Sequence, residues 1–375
     1  MLVRNASTTE GMYRVSLFHA ITREVVELGD PVVPVTCRFL GFDPDQSIRA
    51  DRVRELFRRY TDAIANDIGL DQARLIGTAL ADNVWHDGMP RTWRQLLSGV
   101  ESAYHAVGNA WASLLTAFLA AVIRECRRHG VTDIVFLARD GILLDVVHRS
   151  AHEARRDGIT DWILDLNRGM VGVNSSNERD PVPDEVLIRH IRASVPLGDG
   201  VAIVDTGLYG TMVHALVRLG LLGDSLVMFF SSRNPYVYGF LQAVGVSSAG
   251  RDLATLCCDT LESWPKPYRT ARLAADGDSV VAVAEAADPI SMCAHLTLAR
   301  SLADRSGRLD PDEVDPAAEL AILDGLQALG TAGGAPVLLP RAVKQWPDAV
   351  HFLGTEWDIG PVPPLTSPRL EPVRG

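Results

Sequence analysis

Two aspartates occupy the same place in two copies of one sequence pattern. Asp140 and Asp205 each follow a short apolar run, residues 134–137 and 201–204, and each precedes a glycine and a helix-like pattern. A carboxylate at the end of a buried strand can act as a general acid or base, and two on neighbouring strands could share a divalent cation. The alternative is that each aspartate only caps the following helix. Because the layout occurs twice, we favour a pocket in which both are catalytic and both ligate a metal, with Mg²⁺ as the candidate ion.

Groups suited to binding phosphate accompany these aspartates. Arg139 precedes Asp140, and an arginine in such a turn can hold a phosphate through two parallel hydrogen bonds. Arg168 is interpreted in the same way, although either arginine could instead pair with an aspartate. A helix that begins near Thr211 would direct free N–H groups at a bound phosphate, and the glycines would allow close approach of the main chain. The candidate phosphate-binding set from the residues alone is Arg139, Gly141, Arg168, Thr206, Gly207, Gly210 and Thr211.

Helical and extended patterns alternate around these candidate groups. The spacing of apolar residues favours a helix where it follows a 3.6-residue period, and a buried strand where a short apolar run is continuous. The predicted elements are, in chain order, a helix over 109–128, a strand over 133–138, a helix after 141, a helix near 186–193, a strand over 201–204 and a strand over 225–232. This alternation predicts an α/β fold with a mostly parallel sheet and helices on both faces.

The regions on either side of this core have mainly helical patterns. Residues 47–69 and 91–108 have helical periodicity, whereas residues 31–42, bounded by turn-forming residues, are interpreted as a strand. Helical patterns after about residue 280, among them 316–330, lead into a proline-rich tail that we expect to be extended. The predicted organisation is a mainly helical N-terminal region (1–107), an α/β core (108–280), a helical C-terminal region (281–360) and a tail (361–375).

The core resembles a bacterial group related to the haloacid dehalogenase (HAD) superfamily, found among surface-polysaccharide and biosynthetic genes. The resemblance covers about residues 108–270 and is carried by four segments: FLARDG (136–141), LDLNRGM (164–170), VDTGLYGT (204–211) and DTLESWPKPY (259–268). It implies a Rossmann-like, HAD-like core. It also adds Tyr209, Glu262 and Lys266 to the candidate binding residues, with Lys266 as a candidate for the lysine that steadies the transferred phosphate.

One position departs from the catalytic pattern of that superfamily. In its phosphatases the strand ends Asp-x-Asp-Gly, where the first aspartate attacks phosphorus and the second serves as acid and base. The first position is Ala138 here, which offers no nucleophile for an acyl-phosphate, while Asp140 is retained. The resemblance therefore implies group transfer from a phosphorylated or nucleotide-activated donor, without a phospho-aspartyl intermediate, in secondary-metabolite or polysaccharide biosynthesis.

Other functions stay open at this stage. The segment VDTGLYGT also resembles the phosphate loop of phosphoribosyltransferases, although Thr206 stands where their second acid would be. An aminoacyl or glycosyl transferase, an atypical hydrolase, and a non-catalytic scaffold with a vestigial phosphate pocket are the remaining alternatives. His148 and His152 lie four residues apart and could ligate a metal, but a solvated or capped helix face is the favoured interpretation.

Composition limits the partners and the compartment. The formal net charge of −11 argues against a broad nucleic-acid surface, although a tRNA-borne donor stays open. The five cysteines lack CxxC spacing and the N-terminus lacks the pattern of a signal peptide, so we expect a cytoplasmic protein. No apolar run reaches the roughly 20 residues needed to span a bilayer. The expected partner is a small phosphorylated or nucleotide-activated molecule, and the oligomeric state is open.

Overall fold

Two four-stranded sheets and the helices packed on them make up the part of the chain that can be described. The computed structural model describes residues 7–8, 12–86, 88–152, 158–167, 169–171, 182–208, 210–232, 261, 264–269, 271–276 and 279–314. The helix predicted over 316–330 and the predicted tail lie outside these residues.

Four helices lie between residues 15 and 84, and one of them occupies a segment for which a strand was predicted. They are α1 (Val15–Glu27), α2 (Val32–Leu40), α3 (Ala50–Ile68) and α4 (Leu70–Val84). The prediction of a strand over 31–42 was wrong, because α2 occupies it. Pro31 and Pro34 lie at the N-cap and in the first turn, where a helix needs no proline N–H, and Gly41 ends the helix with φ 77°. The residues that suggested two turns therefore mark the two ends of a helix.

A single helix, α5 (Trp93–His129), replaces the two successive helices predicted over 91–128. It begins at Thr92, whose hydroxyl accepts a hydrogen bond from Gln95 N at 3.2 Å, and ends at Gly130 with φ 66°. By length and composition it could cross a membrane, but most of its apolar stretch is buried inside the protein. That burial is typical of a core helix of a soluble protein.

The last described helix, α9 (Pro289–Ser306), packs directly along α5. A Cβ atom added at Gly108 would lie 2.7 Å from Ser301 Cβ, so a glycine permits the close approach of the two helices. Next to this contact, His105 Nδ1 lies 2.8 Å from Ser301 Oγ. Gly108 therefore serves helix packing and does not interrupt α5.

The parallel sheet confirms the α/β class. Its strands are β3 (Asp133–Leu137), β4 (Thr160–Leu164), β5 (Val201–Leu208) and β6 (Leu226–Ser232), in the order β4-β3-β5-β6 with every pair parallel. The helices that follow or precede these strands are α6 (Gly141–His152), α7 (Asp184–Ser194) and α8 (Thr211–Arg218). β4 was not predicted, since it is an edge strand with alternating partial exposure and not a continuous buried run. β5 extends to Leu208, four residues beyond the predicted end.

A second sheet joins the two ends of the described chain. It is antiparallel in the order β1-β2-β8-β7, with β1 (Ser7–Thr8), β2 (Met12–Arg14), β7 (Arg272–Asp276) and β8 (Ser279–Glu285). Residues 281–285, which were expected to open the helical C-terminal region, therefore belong to a strand. Pairing of Tyr13 with Ala284 brings the N-terminal residues against a segment 271 residues later. α1 begins at Val15, directly after β2, and its residue His19 lies near Asp165 at the carboxyl end of β4.

Candidate functional site

The turn between β3 and α6 carries Arg139 and Asp140. Their main-chain oxygens accept hydrogen bonds from Ile142 N at 3.3 Å and Leu143 N at 3.0 Å, which joins the turn to the first turn of α6. Gly141 is required here, because a Cβ atom would lie 3.0 Å from the carbonyl carbon of Phe136. The helix thus starts close against the strand that precedes it, and Asp140 is held at the carboxyl end of the sheet.

Lys266 is the closest partner of Asp140. Its Nζ is in direct contact with Asp140 Oδ1, and their side chains are 8% and 23% exposed. The same Nζ lies 3.3 Å from the main-chain oxygen of Leu261. A charge with so little access to water is stable only beside an opposite charge, so each residue of this pair depends on the other. The predicted lysine therefore lies at the retained aspartate.

Thr206 completes the contacts around Asp140. Its Oγ1 lies 3.4 Å from Asp140 Oδ2, a long hydrogen bond in which the hydroxyl donates. The contact follows from the sheet, because β5 is the parallel neighbour of β3 and Phe136 is in register with Val204. The predicted strand ended at residue 204, before Thr206 and Gly207, but both belong to β5. Asp140, Lys266 and Thr206 are the predicted residues that the structure brings together.

The residues 264–268, Trp-Pro-Lys-Pro-Tyr, place Lys266 at this point, and we call them the proline segment. Proline fixes its own φ and biases the preceding residue to an extended conformation, so the two prolines restrict the main chain on both sides of Lys266. Trp264 anchors one end by packing edge-on against Trp111 of α5, with ring centroids 5.5 Å apart. At the other end, the Tyr268 hydroxyl donates to Asp165 Oδ1 at 2.9 Å.

Asp165 follows β4 and forms a second polar cluster beside the first. His19 of α1 places Nε2 3.5 Å from Asp165 Oδ1, and His190 Nε2 lies 3.3 Å from the Asp165 main-chain oxygen. Sequence reasoning missed this cluster, because its members come from α1, β4, α7 and the proline segment. The signal that was available is Asp165 itself, which lies within one of the four segments of the resemblance.

A buried histidine lies between the two clusters. His295 of α9 is almost fully buried, and its Nε2 is 3.3 Å from Thr22 Oγ1 of α1. Burial, together with the nearby positive charge of Lys266, lowers the pKa of His295 to about 3. This imidazole is therefore neutral at ordinary pH.

α8 begins at Thr211, where the sequence predicted a helix start. Gly210 is the N-cap with φ 64°, and a Cβ atom there would lie 3.2 Å from Phe229 Cζ. Thr211 opens the helix directly after the carboxyl end of β5, so its first N–H groups face the same edge of the sheet.

For the other predicted site residues, the structure gives a position without a described contact, or does not describe the residue. Asp205 is in β5 in register with Phe229, and Arg139 is partly buried in the turn after β3. Arg168, Tyr209 and Glu262 lie outside the described residues.

Mg²⁺ does not fit the described side chains without further ligands. The ammonium of Lys266 already faces the carboxylate of Asp140. Among the described residues, no group of three or more histidine, cysteine, aspartate or glutamate side chains could hold a metal ion. We derive no step through a metal, and Asp140 and Asp205 as metal ligands stay a prediction.

His148 and His152 lie on α6 itself, in a buried network separate from the two polar clusters. His148 Nδ1 lies 2.9 Å from Asp161 Oδ1, and the two imidazole rings stack with centroids 5.0 Å apart. Arg149 donates to Asp145 Oδ1 at 2.9 Å in the same network. The predicted solvated face is wrong, because both histidine side chains are buried and His148 is paired with Asp161.

Comparison with known proteins gives no family assignment: no protein-family model matches the chain, and no curated protein shows significant similarity to it.

Proposed function

We propose that this protein is a HAD-like enzyme of bacterial secondary-metabolite or polysaccharide biosynthesis. It transfers a group from a phosphorylated or nucleotide-activated donor to a small acceptor, without a phospho-aspartyl intermediate. The observation that carries the proposal is the contact between Lys266 and Asp140 at the end of β3, two residues after an alanine that offers no nucleophile.

The ion pair explains how the site could recognise a phosphate. In the ligand-free protein, Asp140 neutralises the buried ammonium of Lys266. A phosphate brings up to two negative charges and competes with the carboxylate for that ammonium. Binding would then release Asp140 for proton exchange with the donor, and the N–H groups at the start of α8 would offer further hydrogen bonds to the phosphate.

Ala138 argues against a mechanism with a covalent phospho-aspartyl intermediate. Formation of an acyl-phosphate needs a carboxylate at this position, and a methyl group cannot supply one. Direct attack of the acceptor on the donor is the route compatible with the remaining groups. Phosphoribosyl, aminoacyl and glycosyl transfer are the variants of this route.

The donor class can be found by thermal unfolding of the purified protein with inorganic pyrophosphate, sugar nucleotides, phosphoribosyl pyrophosphate and simple phosphate esters, each with and without Mg²⁺. A ligand at 100 times its Kd adds about 2.7 kcal/mol to the free energy of unfolding, a shift of a few degrees in Tm. A shift that is lost in the double variant Asp140→Asn/Lys266→Met supports the site. Arg269→Met is the matched control, since Arg269 adjoins the proline segment but is exposed and paired with Glu285.

The competing hypothesis is a scaffold with a vestigial pocket. It predicts no shift with any donor and an unchanged cellular product when Asp140 is replaced by asparagine. The transferase hypothesis predicts that the same variant folds but forms no product.

A further inference from the structure

Asp165 lies beside the position that lacks a nucleophile. Leu137 of β3 is in register with Leu164 of β4, and Ala138 N donates to the Leu164 main-chain oxygen at 2.9 Å. Asp165 is therefore the neighbour of Ala138 across the two parallel strands. A carboxylate is present at this edge of the sheet, but one strand away from the position where a phosphatase would carry it.

The contacts of Asp165 do not suit a nucleophile. The hydroxyl of Tyr268 donates to Oδ1 at 2.9 Å, and the side chain of Asp165 is only 13% exposed. Burial raises the pKa of the Tyr268 phenol well above its usual value, and the charge of Asp165 raises it further. Tyr268 therefore stays protonated and donates to the carboxylate. Such a carboxylate is suited to orienting a neighbouring group.

That neighbour is His19. Its Nε2 lies 3.5 Å from Asp165 Oδ1, an electrostatic contact and not a hydrogen bond, and this buried nitrogen has no hydrogen-bond partner among the described residues. A carboxylate facing one ring nitrogen favours the proton on that nitrogen, which leaves the lone pair on the other. Asp165 would in this way keep the proton on Nε2 and make Nδ1 the basic atom of His19.

The His19–Asp165 pair lies next to the proposed donor site. Tyr268 and Lys266 are two residues apart in the proline segment, which contacts Asp165 with one residue and Asp140 with the other. His19 also lies close enough to His295 to lower its pKa, as Lys266 does. The His19–Asp165 pair therefore borders the Asp140–Lys266 pair along one edge of the sheet.

We propose that His19, oriented by Asp165 and Tyr268, is the general base that activates the acceptor in the transfer reaction. This inference rests on the proposed function and assigns the acceptor side of the same site. Asp140 is less suited to that task because its carboxylate faces Lys266, which leaves it to the donor side.

The acceptor's O–H bond breaks and its proton moves to His19 Nδ1. The acceptor oxygen forms a bond to the electrophilic atom of the activated donor. The bond from that atom to the leaving phosphate or nucleotide breaks, and its electron pair leaves with the phosphate, whose charge Lys266 compensates. The imidazolium later returns its proton to solvent.

Nitrogen-15 NMR of protein labelled at the histidine ring nitrogens tests the inference, with His19→Gln used to assign the His19 signals. The proton should reside on Nε2 of His19, with Nδ1 unprotonated. Addition of inorganic pyrophosphate in metal-free buffer should shift the Nδ1 signal. The exposed His129, at the opposite end of β3, should not respond. In Asp165→Asn the preference for one tautomer should be lost.

The outcomes separate the two claims. A proton on Nδ1 in the wild-type protein overturns the role of His19. The same holds if pyrophosphate binds, as shown by its effect on Tm, but leaves the His19 signals unmoved. Absence of pyrophosphate binding contradicts the proposed function and, with it, this inference. The wild-type spectra decide the matter even if Asp165→Asn does not fold.

Discussion

Lys266 contacts Asp140 across 126 residues of sequence, so the only described lysine of the chain neutralises the aspartate at the end of β3. The contact depends on the proline segment, which lies against α5 at Trp264 and against β4 through Asp165. The candidate site is therefore a product of tertiary packing. Its geometry can be tested through stability as well as through ligand binding.

Replacement of Lys266 by methionine should lower the free energy of unfolding by about 3 kcal/mol, because it leaves Asp140 poorly solvated and unpaired. Urea denaturation measures this effect. The double variant Asp140→Asn/Lys266→Met should recover much of the loss, since both charges are removed. Arg269→Met should stay within about 0.5 kcal/mol of the wild type. Equal losses in the single and double variants would contradict a direct pair.

Replacement of Gly141 by alanine should destabilise the protein by about 1–3 kcal/mol, since the new Cβ would press on the main chain of Phe136. The shift of α6 needed to relieve that contact should also weaken pyrophosphate binding, because Asp140 adjoins Gly141. Ser150→Ala, at a partly exposed position of the same helix, is the control. Both variants should be measured by urea denaturation and by pyrophosphate titration. A Gly141→Ala variant with wild-type stability and affinity would show that Gly141 does not lie so close to the main chain of Phe136.

His295 should make the protein less stable as pH falls below about 6.5. Its pKa is lowered to about 3 in the folded protein, so between these values the unfolded chain binds a proton that the folded chain does not. The free energy of unfolding therefore rises with pH, and this residue contributes at most about 1.4 kcal/mol per pH unit. The wild type and His295→Gln should be compared by urea denaturation between pH 4 and 6. The slope should be shallower in the variant, and equal slopes would mean that His295 titrates normally.

Gly108 should tolerate no larger residue, because α5 and α9 meet there. Gly108→Leu places a side chain where even a Cβ atom would lie 2.7 Å from Ser301 Cβ, and we expect a loss of at least about 2 kcal/mol. Gly108→Leu combined with Ser301→Gly should regain part of that loss. Thermal unfolding of the two variants measures the difference. A harmless Gly108→Leu would show that the helices are further apart.

The sequence allowed prediction of those parts of the fold in which neighbouring residues determine structure. The strand before Ala138, the helix after Gly141 and a strand from Val201 come from continuous local patterns, and the structure contains all three. Asp205, however, lies within the third of these elements and not after it, since β5 continues to Leu208. α2 was missed because the prolines and glycine that bound it are compatible with either helix ends or turns. β7 and β8 were also missed, although Gly277-Asp278, between the paired residues Asp276 and Ser279, is a recognised hairpin signal.

The residues of the candidate site also differ in whether a local sequence pattern could identify them. Asp140 and Thr206 were found from strand ends, and Lys266 only from the resemblance, since no local pattern relates it to Asp140. His19 could not have been found, because its place beside Asp165 depends on how α1 packs against the sheet. A single histidine in an amphipathic helix carries no signal of that contact.

The affinity for pyrophosphate in metal-free buffer should be compared between the wild type, Asp140→Asn and Asp140→Asn/Lys266→Met. If Asp140 and a phosphate compete for the ammonium of Lys266, Asp140→Asn should bind pyrophosphate about tenfold more tightly, a gain of roughly 1.4 kcal/mol. The double variant should lose that binding. Equal affinity in all three proteins would show that Lys266 does not hold phosphate and would contradict the account.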